Sequence, residues 1–221
     1  MLGPELQAHP GYAFNLVPVT LWDLTCAAAL PGRRAVLARS HPVAATRGVA
    51  RYARLALGKP VRSYRPFRLL VRVLARAERA GGSVALVGMD GGLLRSLEER
   101  LLKTYPQLRI TGRFKGKLSA SQSRSLAVAL RKLQPDVVVF GPAIRHAPRW
   151  VAAHRGMLGG STCLWVPDLA ASLRDNSGRR SRYLLSVGFA RVGLLPLYFL
   201  LCVNGSITAF LRLLTAGRWP R

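Results

Sequence analysis

Acidic residues are the scarcest component of this chain. Its 221 residues include 9 Asp and Glu against 34 Lys and Arg, for a formal net charge of +25. No carboxylate side chain lies between Asp23 and Glu78, and none follows Asp175. Such a balance selects polyanionic partners: nucleic acid, anionic lipid headgroups or a phosphorylated substrate. Nearly all of the cations are arginine, which suits bidentate phosphate contacts, although a GC-rich genome gives the same bias. Cysteine is sparse as well. Cys26, Cys163 and Cys202 are odd in number and far apart, which excludes a disulfide framework and makes a reducing cytoplasm the expectation. His9, His41, His146 and His154 share no ligand spacing, so no metal and no cofactor is expected. Met1 to Tyr12 lacks the apolar run of a signal peptide. The arginines have no interleaved aromatic platform, and no helix-turn-helix, RRM or zinc pattern occurs, so nucleic acid is not the expected partner.

What is present is apolar and alternating. Half of the residues are hydrophobic, enough for one sizeable core. Ser83 to Val87 is a short apolar run without helical period, broken by Gly88-Met89-Asp90-Gly91-Gly92. Leu93, Leu94, Leu97, Leu101 and Leu102 then recur at helical spacing until Tyr105-Pro106 ends the helix. Leu108 to Thr111 reads as the next strand, and Gly112 to Gly116 as a second glycine turn. This is half of a nucleotide-binding sheet, with glycines where backbone amides could approach a phosphate. The same pattern serves as a plain tight turn, and the dinucleotide spacing G-x-G-x-x-G is absent.

Around it, Phe14 to Thr20 reads as a first strand and Leu21 to Leu30 as a short helix closed by Pro31-Gly32, with a brief strand over Ala35 to Ala38. Helices are expected over Gly48 to Leu57, Phe67 to Ala80, Ser121 to Leu133 and Ala147 to His154. Strands are expected over Asp136 to Phe140 and Thr162 to Val166. The alternation predicts an α/β fold with a mostly parallel sheet covered by helices on both faces. Residues 1–176 form that domain, and 177–221 a basic, apolar helical appendage. There Arg179, Arg180, Arg182 and Arg191 precede twenty uncharged residues, 192–211. An interfacial helical hairpin on an anionic membrane surface fits this stretch; a true span and a buried terminal helix pair are the alternatives.

Taken in order, these segments resemble the WecG/TagA/CpsF glycosyltransferases. The match is carried by VALVGMDGG, the helix through Leu102, Tyr105-Pro106, LRITG and FKGKL. It extends to Leu57-Gly58-Lys59-Pro60, to Pro135 through Gly141 with Trp150-Val151, and to Pro167-Asp168-Leu169-Ala170-Ala171-Ser172. The resemblance implies a Rossmann-like fold and metal-free, inverting transfer of an N-acetylmannosamine-type sugar from a UDP-sugar. The acceptor it implies is a polyprenyl-diphosphate-linked sugar at the cytoplasmic, inner face of the cell membrane. Thr20, Gly88, Asp90, Gly91, Gly116, Lys117 and Asp168 are the implied substrate contacts. For Asp90 a turn role, and for Asp168 a helix cap, are the structural alternatives. The four appendage arginines are the expected membrane or lipid-diphosphate contacts, and a homo-oligomer is left open.

Three polar positions depart from the family pattern. The family's catalytic aspartate falls on Thr46, its Thr-x-Asn on Thr20-Leu21-Trp22, and its Pro-Lys-Gln-Glu on Arg145-His146-Ala147-Pro148. A threonine is no base at neutral pH, so the catalytic residue is unassigned. Two readings follow: an active, divergent transferase, or a noncatalytic relative that keeps nucleotide-sugar or lipid-carrier binding.

Overall fold

The computed structural model describes residues 13–174, apart from 21, 22, 25, 28, 29, 59, 117, 118 and 145. The appendage, with Arg179, Arg180, Arg182, Arg191 and the stretch 192–211, lies outside the described residues, as does Lys117.

Six strands form one sheet: β1 (Phe14–Val19), β2 (His41–Ala44), β3 (Ser83–Met89), β4 (Arg109–Lys115), β5 (Val137–Phe140) and β6 (Thr162–Trp165). Their order is β2-β1-β6-β5-β3-β4, and every neighbouring pair is parallel. Between them run α1 (Pro31–Ala38), α2 (Arg47–Leu57), α3 (Pro66–Arg79), α4 (Gly91–Thr104), α5 (Ala120–Leu133) and α6 (Ala147–Ala153), and α7 (Leu169–Arg174) follows β6. The expected Rossmann-like α/β architecture is the observed one, and the sheet is wholly parallel.

Strand alternation divides the core in two. Val84, Leu86, Val137, Val139 and Leu164 face α3, α4 and α7, meeting Leu69, Leu70, Leu74, Leu94, Leu97 and Leu169. Ala85, Val87, Val138, Phe140 and Cys163 face the other way, onto Leu126, Leu130, Ala147 and Val151 of α5 and α6. Central strands covered on both faces must be apolar at every position, and β3 and β5 are buried throughout.

Two expectations are corrected. Residues 31–38 are helical, not closed by Pro31-Gly32 and not a strand at Ala35 to Ala38. Pro31 occupies the first helical turn, where its missing N–H costs nothing, and Arg, Ala and Leu after it are strong helix formers. The second strand lies instead at His41-Pro42-Val43-Ala44, where a proline is tolerated because β2 is an edge strand. The second glycine turn is also displaced: β4 runs through Gly112 to Lys115, and only Gly116 turns. Thr111 is bulged opposite β3, and Gly112 leaves room for the Phe114 ring, which a Cβ would meet at 2.7 Å.

Candidate functional site

Because all strands are parallel, their C-terminal ends share one edge of the sheet, where α/β proteins bind ligands. Following the strand order, that edge carries Thr46, then Thr20 with Asp23, then Asp168, then Gly141 to Ile144, then Gly88 to Gly92, then Gly116. Neighbouring strand axes lie about 5 Å apart. Apart from Lys117, which is not described, the sequence-derived binding residues therefore meet along one rim.

The glycines there are of two kinds. Gly88 is buried with φ +71°, and a Cβ on it would lie 2.2 Å from Ile144 Cγ1. The loop after β5 packs down on it: the Gly141 N–H donates to Val87 O (2.8 Å) and the Ala143 N–H to Gly88 O (3.1 Å). Gly88 is thus a glycine because a neighbouring loop needs the space. Gly91 and Gly116 are open, with no atom within 4 Å of an added Cβ, and Gly116 has φ +77°. They are the backbone positions at which an approaching phosphate meets no side chain.

Asp90 caps α4, its Oδ1 accepting the Leu93 N–H at 2.7 Å. The helix N-terminus is therefore already supplied with one negative group. Asp168 is half-buried and immediately precedes α7, its carbonyl accepting the Ser172 N–H at 2.9 Å. Thr46 caps α2, Oγ1 accepting from the Val49 N–H at 3.3 Å. The Thr46 hydroxyl is thus an acceptor in a helix cap. His146 begins α6 exposed, without a side-chain cap bond.

Sequence reasoning missed Asp23. Thr20 is buried, and its Oγ1 donates to Asp23 Oδ2 at 2.6 Å while its N–H donates to the same oxygen at 2.9 Å. In return Thr20 Oγ1 accepts the Asp23 N–H at 3.3 Å. The Thr-x-x-Asp spacing, a reciprocal cap, is the signal that would have found it. This carboxylate stands one strand from Thr46: the Ala45 N–H donates to Val19 O at 2.9 Å, and Leu24 packs against Val49 and Ala50 of α2. The edge thus has a carboxylate just beyond the end of β1, next to the strand end that carries Thr46.

Among the described residues no group of three or more His, Cys, Asp or Glu is placed to hold a metal ion. None of their helices is long and apolar enough to cross a membrane. No curated protein matches the chain. The model of the Glycosyl transferase WecG/TagA/CpsF family matches residues 14–183, which takes in all six strands and the whole rim. The chain belongs to the WecG/TagA/CpsF family, the glycosyltransferases of cell-envelope polysaccharide synthesis.

Proposed function

We propose that the protein is a membrane-associated, inverting transferase that moves an N-acetylmannosamine-type sugar from a UDP donor to a polyprenyl-diphosphate-linked acceptor. Asp23 serves as the general base. The observation that carries this reading is the Thr20–Asp23 pair at the end of β1, next to the strand end where Thr46 stands. A buried threonine holds the carboxylate through two hydrogen bonds to Oδ2, which fixes its direction. The acceptor hydroxyl loses its proton to Asp23 as it attacks the anomeric carbon from the face opposite UDP. UDP departs with the electron pair of the broken glycosidic bond.

The open backbone at Gly91 and Gly116, with Lys117 beside it, suits the departing diphosphate. Asp168, in the turn that follows β6, the strand next to β1, suits the uracil or ribose. Residues 177–221, with Arg179, Arg180, Arg182 and Arg191, would hold the enzyme peripherally on the inner, cytoplasmic face of the membrane.

A second reading, a noncatalytic relative that keeps nucleotide-sugar or lipid-carrier binding, is favoured by one observation: Thr46, where the resemblance leads one to expect a catalytic aspartate, caps a helix. Calorimetric titration with UDP and UDP-N-acetylmannosamine, followed by UDP release with a short-chain lipid-diphosphate acceptor, separates the two. Release that falls by roughly 100-fold or more in Asp23→Asn, with UDP affinity unchanged, is the expected result, since Asn preserves the cap and removes the base. UDP binding without release in the unaltered chain would establish the noncatalytic reading, and an undiminished Asp23→Asn rate would remove Asp23 from the mechanism.

A further inference from the structure

α2 is anchored to the domain at one end only. Its first turn is anchored, with Val49 and Ala50 buried against Ala44, Leu24 and Val61. Beyond Ala50 none of its described side chains is buried. Leu55 is 61% exposed and Leu57 59%, the two most exposed large hydrophobic residues of the described chain. Arg51, Arg54 and, five residues after the helix, Arg62 are exposed as well. Gly58, in left-handed conformation, ends the helix, and six residues later the Tyr64 N–H donates to Ala44 O at 2.8 Å. The chain therefore leaves the sheet edge at Thr46, travels about 16 Å along eleven helical residues, and returns to the end of β2.

We propose that the outer half of α2 is a bilayer-docking tip of the folded domain, Leu55 and Leu57 entering the acyl boundary and Arg51, Arg54 and Arg62 pairing with anionic headgroups. Charge decides the occupant. No carboxylate occurs between Asp23 and Glu78 to neutralise these arginines from within the segment. The chain after Asp175 carries none either, and a second copy brings another +25, so neither complements the tip. Nucleic acid would match the arginines but not two exposed leucines. An anionic bilayer matches both at once, because arginine stems and leucines favour the boundary while guanidinium groups remain among headgroups. The tip lies one helix length from Thr46, so docking would set the candidate site close above the membrane surface. The proposal does not depend on the transfer chemistry, which the UDP-release assay tests separately.

The test is co-sedimentation of the full chain with vesicles of equal parts phosphatidylglycerol and phosphatidylcholine, and with phosphatidylcholine alone. Leu55→Gln with Leu57→Gln keeps helix propensity and is expected to lower the partition coefficient roughly ten-fold or more, without changing the melting curve. Arg51→Gln with Arg54→Gln is expected to weaken binding to the anionic vesicles only. In a Leu57→Trp chain, the added indole emission should be quenched by lipids brominated on the acyl chain. An unchanged partition of the Leu pair overturns the proposal and assigns vesicle binding to other residues. Sedimentation of the vesicle-free protein that shifts with the Leu pair also overturns it, assigning the leucines to a contact between copies.

Discussion

β3 and its neighbours β4 and β5 are held at both ends, whereas the edge strand β2 is held along one side, by β1. At the lower end of β3 and β5, Asp136 Oδ2 accepts from Ser83 N–H and Oγ–H, both at 2.8 Å. At the upper end the loop after β5 is stitched to Val87 and Gly88. Helices α3, α4 and α5 cover both faces with leucine. In the other half, β2 is four residues long with a proline at the edge, and the cluster beneath α2 is Ala44, Val49 and Ala50. The first half is closely packed at β3 and β5 and carries the glycine turns. The second carries Thr20, Asp23 and Thr46, and the exposed tip of α2. Close packing fixes a scaffold; the loosely covered flank is where polar residues and surfaces can change without unfolding the sheet.

That contrast can be broken by substitution. Gly88→Ala should cost about 3 kcal/mol or more, adding a side chain against Ile144 to a left-handed backbone. Gly32→Ala, with nothing within 4 Å of its Cβ, should be neutral or stabilise by up to about 1 kcal/mol. Urea unfolding of the two proteins measures the difference directly. Asp136→Ala should cost about 1–3 kcal/mol, because it strands the buried Ser83 N–H.

The smallest effect concerns the exposed ion pair of Arg113 on β4 with Glu98 on α4. The guanidinium hydrogen bond holds the Glu98 carboxyl below its ordinary value, against a small opposing effect of burial. Its stabilisation is therefore present above the ordinary glutamate range, about 4.3, and fades as pH falls through the lowered value. Solvent screening keeps it below about 1 kcal/mol. Melting curves of Glu98→Gln against the unaltered chain should differ slightly at neutral pH and converge in acid.

Much of this was readable from residues, and the closely packed half most of all. Leu69, Leu70, Val73 and Leu74 at helical spacing, and uninterrupted apolar runs at Ser83 to Val87 and Val137 to Phe140, announce elements whose burial depends on local pattern. Gly112 misled, because a glycine that makes room for a phenylalanine ring looks, in sequence, like one that turns the chain. β2 was displaced because four residues with a proline give almost no periodic signal, and only its place at the edge allows it. For the site, the rim positions of Gly91, Gly116 and Asp168 followed from strand ends. Asp23 did not, since its significance lies in the Ala45–Val19 contact that brings β1 beside β2.

The strand order has a consequence for biosynthesis. β3, β4 and β5 are contiguous in the chain and pair among themselves, so they can fold as they leave the ribosome. β1 emerges first but has only edge strand β2 to pair with until residues 162–165 arrive and seat β6 between it and β5. Thr20, Asp23 and Thr46 thus join the rim only after β6 has been made. A nascent chain stalled before β6 would hold the glycine-bearing part of the site with the carboxylate-bearing strand still undocked.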